Sequence, residues 1–305
     1  MGTPAFAAPV LSALVEAGHE VVLVVTQPDR PKGRGRKLSP PPVKDRAALL
    51  GLPVYQPERV KAPEAIETIA AARPDVMVVA AFGQILPKSL LDIPPKGCLN
   101  VHASVLPKLR GAAPINWAII NGDTNTGVTI MKMDVGMDTG DMLMVETETI
   151  APDDTAGRLT TRLSAVGSRM IVEALASLEA GSLNPVKQDP VEATYAPLLK
   201  KETGLIDWSR PAADVDRLVR GLDPWPGAYT KLEGETLKVW RVEVTDADTS
   251  GLPGEVVESG KHGIAVVTGA GVARITELQL GGGRRMKAAD YLTGHRVEVG
   301  TMLGG

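Results

Sequence analysis

Apolar positions along the first 180 residues follow two alternating rhythms. Between residues 5 and 18, Val10, Leu11, Leu14 and Val15 fall at helical spacing and the run closes on Gly18, which predicts an amphipathic helix with a glycine stop. EVVLVVT at 20–26 then reads as a buried strand. The same grammar predicts helices over 43–50 and 64–73. VMVVAAFG at 76–83 is a continuous apolar run of the kind a parallel sheet buries on both faces. CLNVHAS from Cys98 predicts a further strand, 113–121 a helix starting near Pro114, 127–133 a strand, and 154–180 a long helix. Strands alternating with helices at this spacing predict an α/β fold with a doubly wound, mostly parallel sheet, whose ligands sit beyond the carboxyl ends of its strands.

The grammar changes after Gly181. Residues 182–204 carry several prolines, mixed charge and little periodicity, which reads as a linker over the surface. A short helix over 212–221 follows, then TLKVWRVEV, GEVVES, GIAVVTG and GVARITELQL, strands whose turns recur every ~8–12 residues as in a small all-β barrel or sandwich. The expected division is a first domain over 1–181, a linker over 182–204 and a second domain over 205–305. Trp225, in PWPGAY, reads as a packing residue.

With 44% hydrophobic residues and a net charge of −3, the chain is ordinary globular material without a global positive field, so any nucleic-acid contact must be local. Cys98 is the only cysteine, which excludes an internal disulfide and a multi-cysteine metal site and fits a reducing compartment. The four histidines show no metal-ligand spacing, so no metal is expected. No apolar run approaches the ~20 residues of a membrane helix, and the start lacks the pattern of a secretory signal. Cytoplasm is the expected location.

Candidate chemistry concentrates between residues 100 and 143. Asn100 and His102 stand two apart on a predicted strand and therefore share a face. Asp138 lies in the glycine-punctuated loop GMDTGD. An amide, an imidazole and a carboxylate can move a proton and hold a developing oxyanion without metal or covalent nucleophile. Each has a plainer reading: a lone histidine at a strand end is more often a structural hydrogen-bonder, aspartates among glycines such as Asp123, Asp134 and Asp141 usually build turns, and Cys98 reads as a small core residue.

Resemblance lifts the segment above those readings. The Asn-x-His pair, the following SVLPKLRGAAPINWAI, and DVGMDTGDML resemble the formyltransferases that use 10-formyltetrahydrofolate, most of all the branch acting on methionyl-tRNA. The likeness extends along nearly the whole chain, through TQPDRPKGRGRKL, AAFGQILP, LDPWPGAYT and MKAADYLTG. It implies that Asn100, His102 and Asp138 are the catalytic trio. It implies also that Ser104, Val105, Leu106 and Pro107, with Phe82, Gly83, Gln84, Ile85 and Leu86 across the crevice, line the folate site. The implied fold is a Rossmann-like domain followed by a small OB-like barrel, and the implied protein a monomer. The implied donor is 10-formyltetrahydrofolate.

The trio does not choose the acceptor, because relatives that formylate a small amine, or hydrolyse the folate, share it. The stretch from Arg30 to Lys37 speaks to that choice, with five basic residues in eight and no acid. An arbitrary loop of this composition is a solvated one; here Gly33 and Gly35 permit close approach to a phosphate backbone. The resemblance implies that Arg34 contacts the acceptor arm of methionyl-initiator tRNA, with Lys32, Arg36 and Lys37 adding phosphate contacts. Arg284, Arg285 and Lys287 form a second local patch in a domain with slightly more acidic than basic residues; a plain surface loop is the competing reading. A non-catalytic RNA-binding protein on the same scaffold is the alternative from another class. Finally, relatives carry an apolar strand before the equivalent of Gly2-Thr3-Pro4, so the first strand of the sheet is expected to be missing here.

Overall fold

A computed structural model describes residues 1–32, 37–245 and 250–304. The chain forms two compact units that interleave in sequence: 1–114, 125–149 and 160–197 make the first, and 115–124, 150–159 and 198–305 the second.

In the first unit, helices α1 (Ala7–Glu16), α2 (Pro42–Leu49), α3 (Pro63–Ala71) and α4 (Lys88–Leu91) alternate with strands. These are β1 (Val24–Val25), β2 (Arg30–Lys32), β3 (Lys37–Ser39), β4 (Val54–Tyr55), β5 (Met77–Val79) and β6 (Cys98–His102). The strands β7 (Arg110–Gly111), β8 (Asn125–Lys132), β9 (Met142–Thr149) and β10 (Tyr195–Ala196) complete it. β1 pairs with β4 and β5 with β6 in parallel, while β6–β8 and β8–β9 are antiparallel. The expected mostly parallel sheet is thus a mixed one. Its continuous apolar runs suggested strands buried on both faces, but hydrophobicity carries no information on strand direction; a strand buried by helices reads the same either way.

Met1 and Gly2 lie between β1 and β5. The Gly2 amide donates to the Val25 carbonyl at 3.0 Å, and the Ala80 amide donates to the Met1 carbonyl at 2.9 Å, so the two residues bridge β1 and β5. The Met1 ammonium donates to the Val78 carbonyl at 2.6 Å, and burial lowers its pKa to about 6. A cavity of about 340 Å³ adjoins them, lined among others by Leu11, Leu23, Val78 and Leu175. The apolar run at 20–26 is paired as a strand only over Val24–Val25.

Strand alternation in β6 sends Val101 one way and Asn100 and His102 the other. Val101 meets the helix α6 (Ala156–Glu179) at Gly167, where a Cβ would lie 2.6 Å from a Val101 methyl. The buried Ser164 hydroxyl, one turn earlier, donates to the Phe6 carbonyl at 2.7 Å. This helix seals one face of the sheet, and the polar pair of β6 projects from the other. Cys98 is a core residue whose thiol burial pushes up to about 12, so no thiolate is available at neutral pH.

In the second unit, α5 (Pro114–Asn121) contributes all but its first residue, and α7 (Ala212–Gly221) packs on it: Asn116 donates to the Gly221 carbonyl at 2.7 Å. The strands β11 (Ala228–Leu232), β12 (Glu235–Thr245), β13 (Val256–Gly260), β14 (Gly263–Val267) and β15 (Val272–Leu280) form an antiparallel sheet in the order β11-β12-β15-β14-β13. A short β16 (Met286–Lys287) joins β15 and leads into α8 (Ala288–Leu292). The core gathers inward residues of these strands with Trp208, Val215, Val219 and Tyr291. β11 was not foreseen, because its Ala-Tyr-Thr-Lys-Leu alternation is short and follows a proline-rich turn. Trp225, expected to pack, is 55% exposed.

Gly167→Val should lower the unfolding free energy by about 2 kcal/mol or more, because the branched side chain has no space against Val101. Gly294→Ala, whose added methyl meets nothing within 4 Å, should stay within ~0.5 kcal/mol of wild type by chemical denaturation.

Candidate active site

Three segments of the first unit meet beside Asn100 and His102. β6 supplies both side chains, and both are buried. The loop 133–141 leaves β8 next to the start of β6, where the Met133 amide donates to the Cys98 carbonyl at 2.8 Å. It returns at once, closed by a bond from the Lys132 amide to the Asp141 carbonyl at 2.9 Å. Asp134 is a turn residue, as its composition suggested: its carboxylate accepts from the Gly136 amide at 3.0 Å and the Thr139 hydroxyl at 2.6 Å. Gly140 has no room for a side chain, since a Cβ would lie 1.8 Å from the Lys132 carbonyl oxygen. This tight closure lays Asp138 over the polar face of β6.

Asp138 adopts a left-handed backbone, φ 53°, uncommon for a residue with a side chain. Its Oδ2 accepts from the Gly111 amide at 2.8 Å and lies 3.7 Å from His102 Nδ1. Its Oδ1 lies 3.4 Å from Asn100 Nδ2, a long bond from the amide. His102 Nε2 is 3.0 Å from the Leu109 carbonyl oxygen and must carry a hydrogen to bond it. Nδ1 is the ring atom left facing Asp138, beyond hydrogen-bond distance. The expected trio therefore converges, and one ring nitrogen and one amide face the same carboxylate. Among the described residues no serine or cysteine side chain bonds to any of the three.

The two stretches expected to hold folate run off the carboxyl ends of β5 and β6, which are neighbouring parallel strands. In the first, Phe82 and Leu86 turn their side chains into the core, and the Phe82 carbonyl accepts from Thr3 Oγ1 at 2.8 Å and Gln27 Nε2 at 3.3 Å. Gln84 is committed to the Val60 amide at 2.8 Å. Gly83, with φ 85°, turns the chain, and Ile85 is 82% exposed. In the second, Ser104 is fully buried and donates to the Lys108 carbonyl at 2.6 Å, while Leu106 and Pro107 are buried and Val105 is half-buried. Backbone groups, Ile85 and Val105 are what these stretches offer a ligand. Val135 and Met137 of the Asp138 loop are further exposed apolar side chains.

Arg34 and Arg36 lie outside the described residues, and Lys32 and Lys37 are described as backbone only, at the facing ends of the β2–β3 hairpin. At its other end Arg30 pairs with Glu58 at 2.8 Å. Arg285 of the second patch is held by Asp223 at 2.9 Å and Glu277 at 2.7 Å and lies over Trp240, so its charge is already met; Arg284 and Lys287 are exposed. Among the described residues no cluster of potential metal ligands occurs, and no helix is long and apolar enough to cross a membrane.

Sequence reading missed four contributors: the Leu109 carbonyl, the Gly111 amide, Arg110 and Gln188. Two are backbone groups, which leave no trace in side-chain patterns. Gln188 lies within the stretch read as a linker.

Family comparison matches residues 1–175 to the formyl transferase family and 198–296 to the formyl transferase C-terminal domain. The methionyl-tRNA formyltransferase of Geobacter metallireducens is 55% identical over 304 residues, covering 100% of this chain and 97% of that protein. That of Acetivibrio thermocellus is 50% identical over 305 residues, covering 100% and 98%. Among solved structures, the N-formyltransferase of Helicobacter canadensis, in complex with folinic acid and dTDP-3-aminofucose, superposes with a TM-score of 0.65 at 15% identity, over 93% of this chain and 97% of that one.

Gly111 holds φ 116°, and a Cβ there would approach the Ala196 carbonyl oxygen to 2.8 Å. Gly111→Ala should therefore cost about 1–3 kcal/mol in denaturant unfolding.

Proposed function

The chain belongs to the formyl transferase family, and from that premise we propose that it transfers the formyl group of 10-formyltetrahydrofolate to the free amino group of methionyl-initiator tRNA, for initiation of translation. The observation that carries the acceptor is the full-length identity of 55% to a methionyl-tRNA formyltransferase. The convergence of Asn100, His102 and Asp138 supports the chemistry.

In this reading the methionyl amine attacks the formyl carbon directly. Negative charge develops on the formyl oxygen, and His102, through an Nδ1–H, and Asn100, through its amide, donate to it. Donors set in advance toward such an oxygen are each worth ~3–4 kcal/mol of barrier. The attacking nitrogen loses one proton and N10 of the folate gains one as the carbon–nitrogen bond to it breaks. Asp138 sits where it stabilises a charged imidazole and relays the amine proton. The His102 ring is fixed by the Leu109 carbonyl on its far side, so only Nδ1 is presented.

The folate site in this reading is built from the chain after β5, Phe82 to Leu86, and after β6, Ser104 to Pro107. The buried side chains of Phe82, Leu86 and Leu106 shape it while the backbone and Ile85 meet the ligand. Arg34 takes the acceptor arm, with Lys32, Arg36 and Lys37 on neighbouring phosphates. Residues 1–181 serve as the catalytic domain, 182–204 as the connection and 205–305 as an OB-like barrel; the gap between the two family matches, 175 to 198, supports that division. One chain supplies the whole trio, which supports a monomer, and the translational role supports a cytoplasmic location.

His102→Ala and Asp138→Ala should each lower turnover by ~10²–10⁴-fold with the fold retained by circular dichroism; near wild-type turnover in either would remove the assignment. Four cations on phosphates would make tRNA affinity fall by about 10²-fold between ~50 and ~200 mM salt. A flat salt titration would point instead to a small acceptor.

A further inference from the structure

We propose that Gln188 is a positioning residue for the reaction, clamping the Asp138 loop through its side-chain amide; the proposal rests on the reading of Asp138 as catalytic. Gln188 Nε2 donates to the Asp138 carbonyl at 2.8 Å and to the Gly140 carbonyl at 2.7 Å. Its Oε1 accepts from Arg110 Nε at 3.0 Å and Nη2 at 2.7 Å. Arg110 is buried and adjoins Gly111, whose amide holds the Asp138 carboxylate. A closed ring results: Asp138 carboxylate, Gly111 amide, Arg110 side chain, Gln188, Asp138 carbonyl. Both ends of one residue are thereby fixed to one strand, β7.

Only an amide side chain fits this place. It offers an acceptor to the guanidinium and two donors to the carbonyls at once. A carboxylate would serve Arg110 equally but turn lone pairs toward two carbonyl oxygens. An apolar residue would leave a buried guanidinium and two carbonyls unmet. The left-handed backbone of Asp138 makes the clamp matter, because a loop released from it relaxes toward ordinary φ and swings the carboxylate away from His102. Residue 188 lies between the two matched family segments, in a stretch with little secondary structure of its own.

The test compares wild type with Gln188→Leu, Gln188→Glu, Asp138→Asn and the double variant Gln188→Leu/Asp138→Asn, each full-length. Steady-state kinetics use methionyl-tRNA and 10-formyltetrahydrofolate, with a crystal structure of Gln188→Leu. A displacement of about 1 Å at a reacting group costs up to ~10²-fold in rate. The expected result is a kcat lowered ~10–100-fold in both Gln188 variants, with each KM within ~3-fold of wild type. Gln188→Leu should add less than ~3-fold to Asp138→Asn, and its structure should show the Asp138 carboxylate off the Gly111 amide. A purely structural residue would instead lose activity by the same factor in both backgrounds, and that result overturns the proposal. So does a Gln188→Leu structure with the carboxylate unmoved, or a kcat within ~3-fold of wild type while Asp138→Asn is impaired. Should Gln188→Leu fail to fold, Gln188→Glu, which keeps Arg110 partnered, decides by the same kinetics. Wild-type turnover in Asp138→Asn would sink the reading of Asp138 itself, separately from Gln188.

Discussion

The hydrogen bond from the Gly111 amide to the Asp138 carboxylate is the joint on which the site depends. It connects a loop that leaves β8 at one end of the sheet to a strand that follows the opposite end of β6. Without it, the antiparallel course of β8 would carry Asp138 away from the side chains it faces. The bond is charge-assisted and short, which makes it stronger than a neutral one. It is also local: Gly111 must be glycine to stand so close to Ala196, and Asp138 must leave the usual backbone region to present its carboxylate. Such a backbone costs ~1–3 kcal/mol, and two bonds from Gln188 at ~0.5–1.5 kcal/mol each are of the size that offsets it.

Much of this was legible in the chain. Period-two alternation alone puts Asn100 and His102 on one face, and the same alternation explains why Val101 meets Gly167 behind them. Helix limits came out within a few residues because Pro63 and Pro114 mark starts and Gly18 a stop. Strand direction was not legible, since apolar runs look alike in parallel and antiparallel sheets. Nor was β9, where Met142 to Thr149 alternates half-buried and exposed residues as an edge strand does. Gln188 escaped because irregular polar segments carry no periodicity; only tertiary contact reveals that one of their side chains reaches inward.

Charge is distributed unevenly over the chain. With a net charge of −3 the chain has no field to gather an anionic macromolecule from a distance. The basic stretch between Arg30 and Lys37 is local, tied at its base where Arg30 meets Glu58 and Lys44 meets Asp29 at 2.7 Å. In the second unit the most conspicuous cation, Arg285, is spent on Asp223 and Glu277. Exposed Trp225, from the same turn as Asp223, offers a flat apolar face without a charge of its own.

The partition follows from what each task demands. Formyl transfer needs groups held to fractions of an ångström, and the residues proposed for it have their hydrogen bonds met inside the fold: His102 by Leu109, Asp138 by Gly111, Arg110 by Gln188. Recognition of a phosphate backbone needs charge and reach more than precision, and in the proposed reading the glycine-spaced run of arginine and lysine between Arg30 and Lys37 supplies both. The proposed reaction therefore rests on residues that sequence pattern partly conceals. The acceptor, in the same reading, is chosen by residues that composition displays, which is why the two sets differ in how openly the sequence shows them.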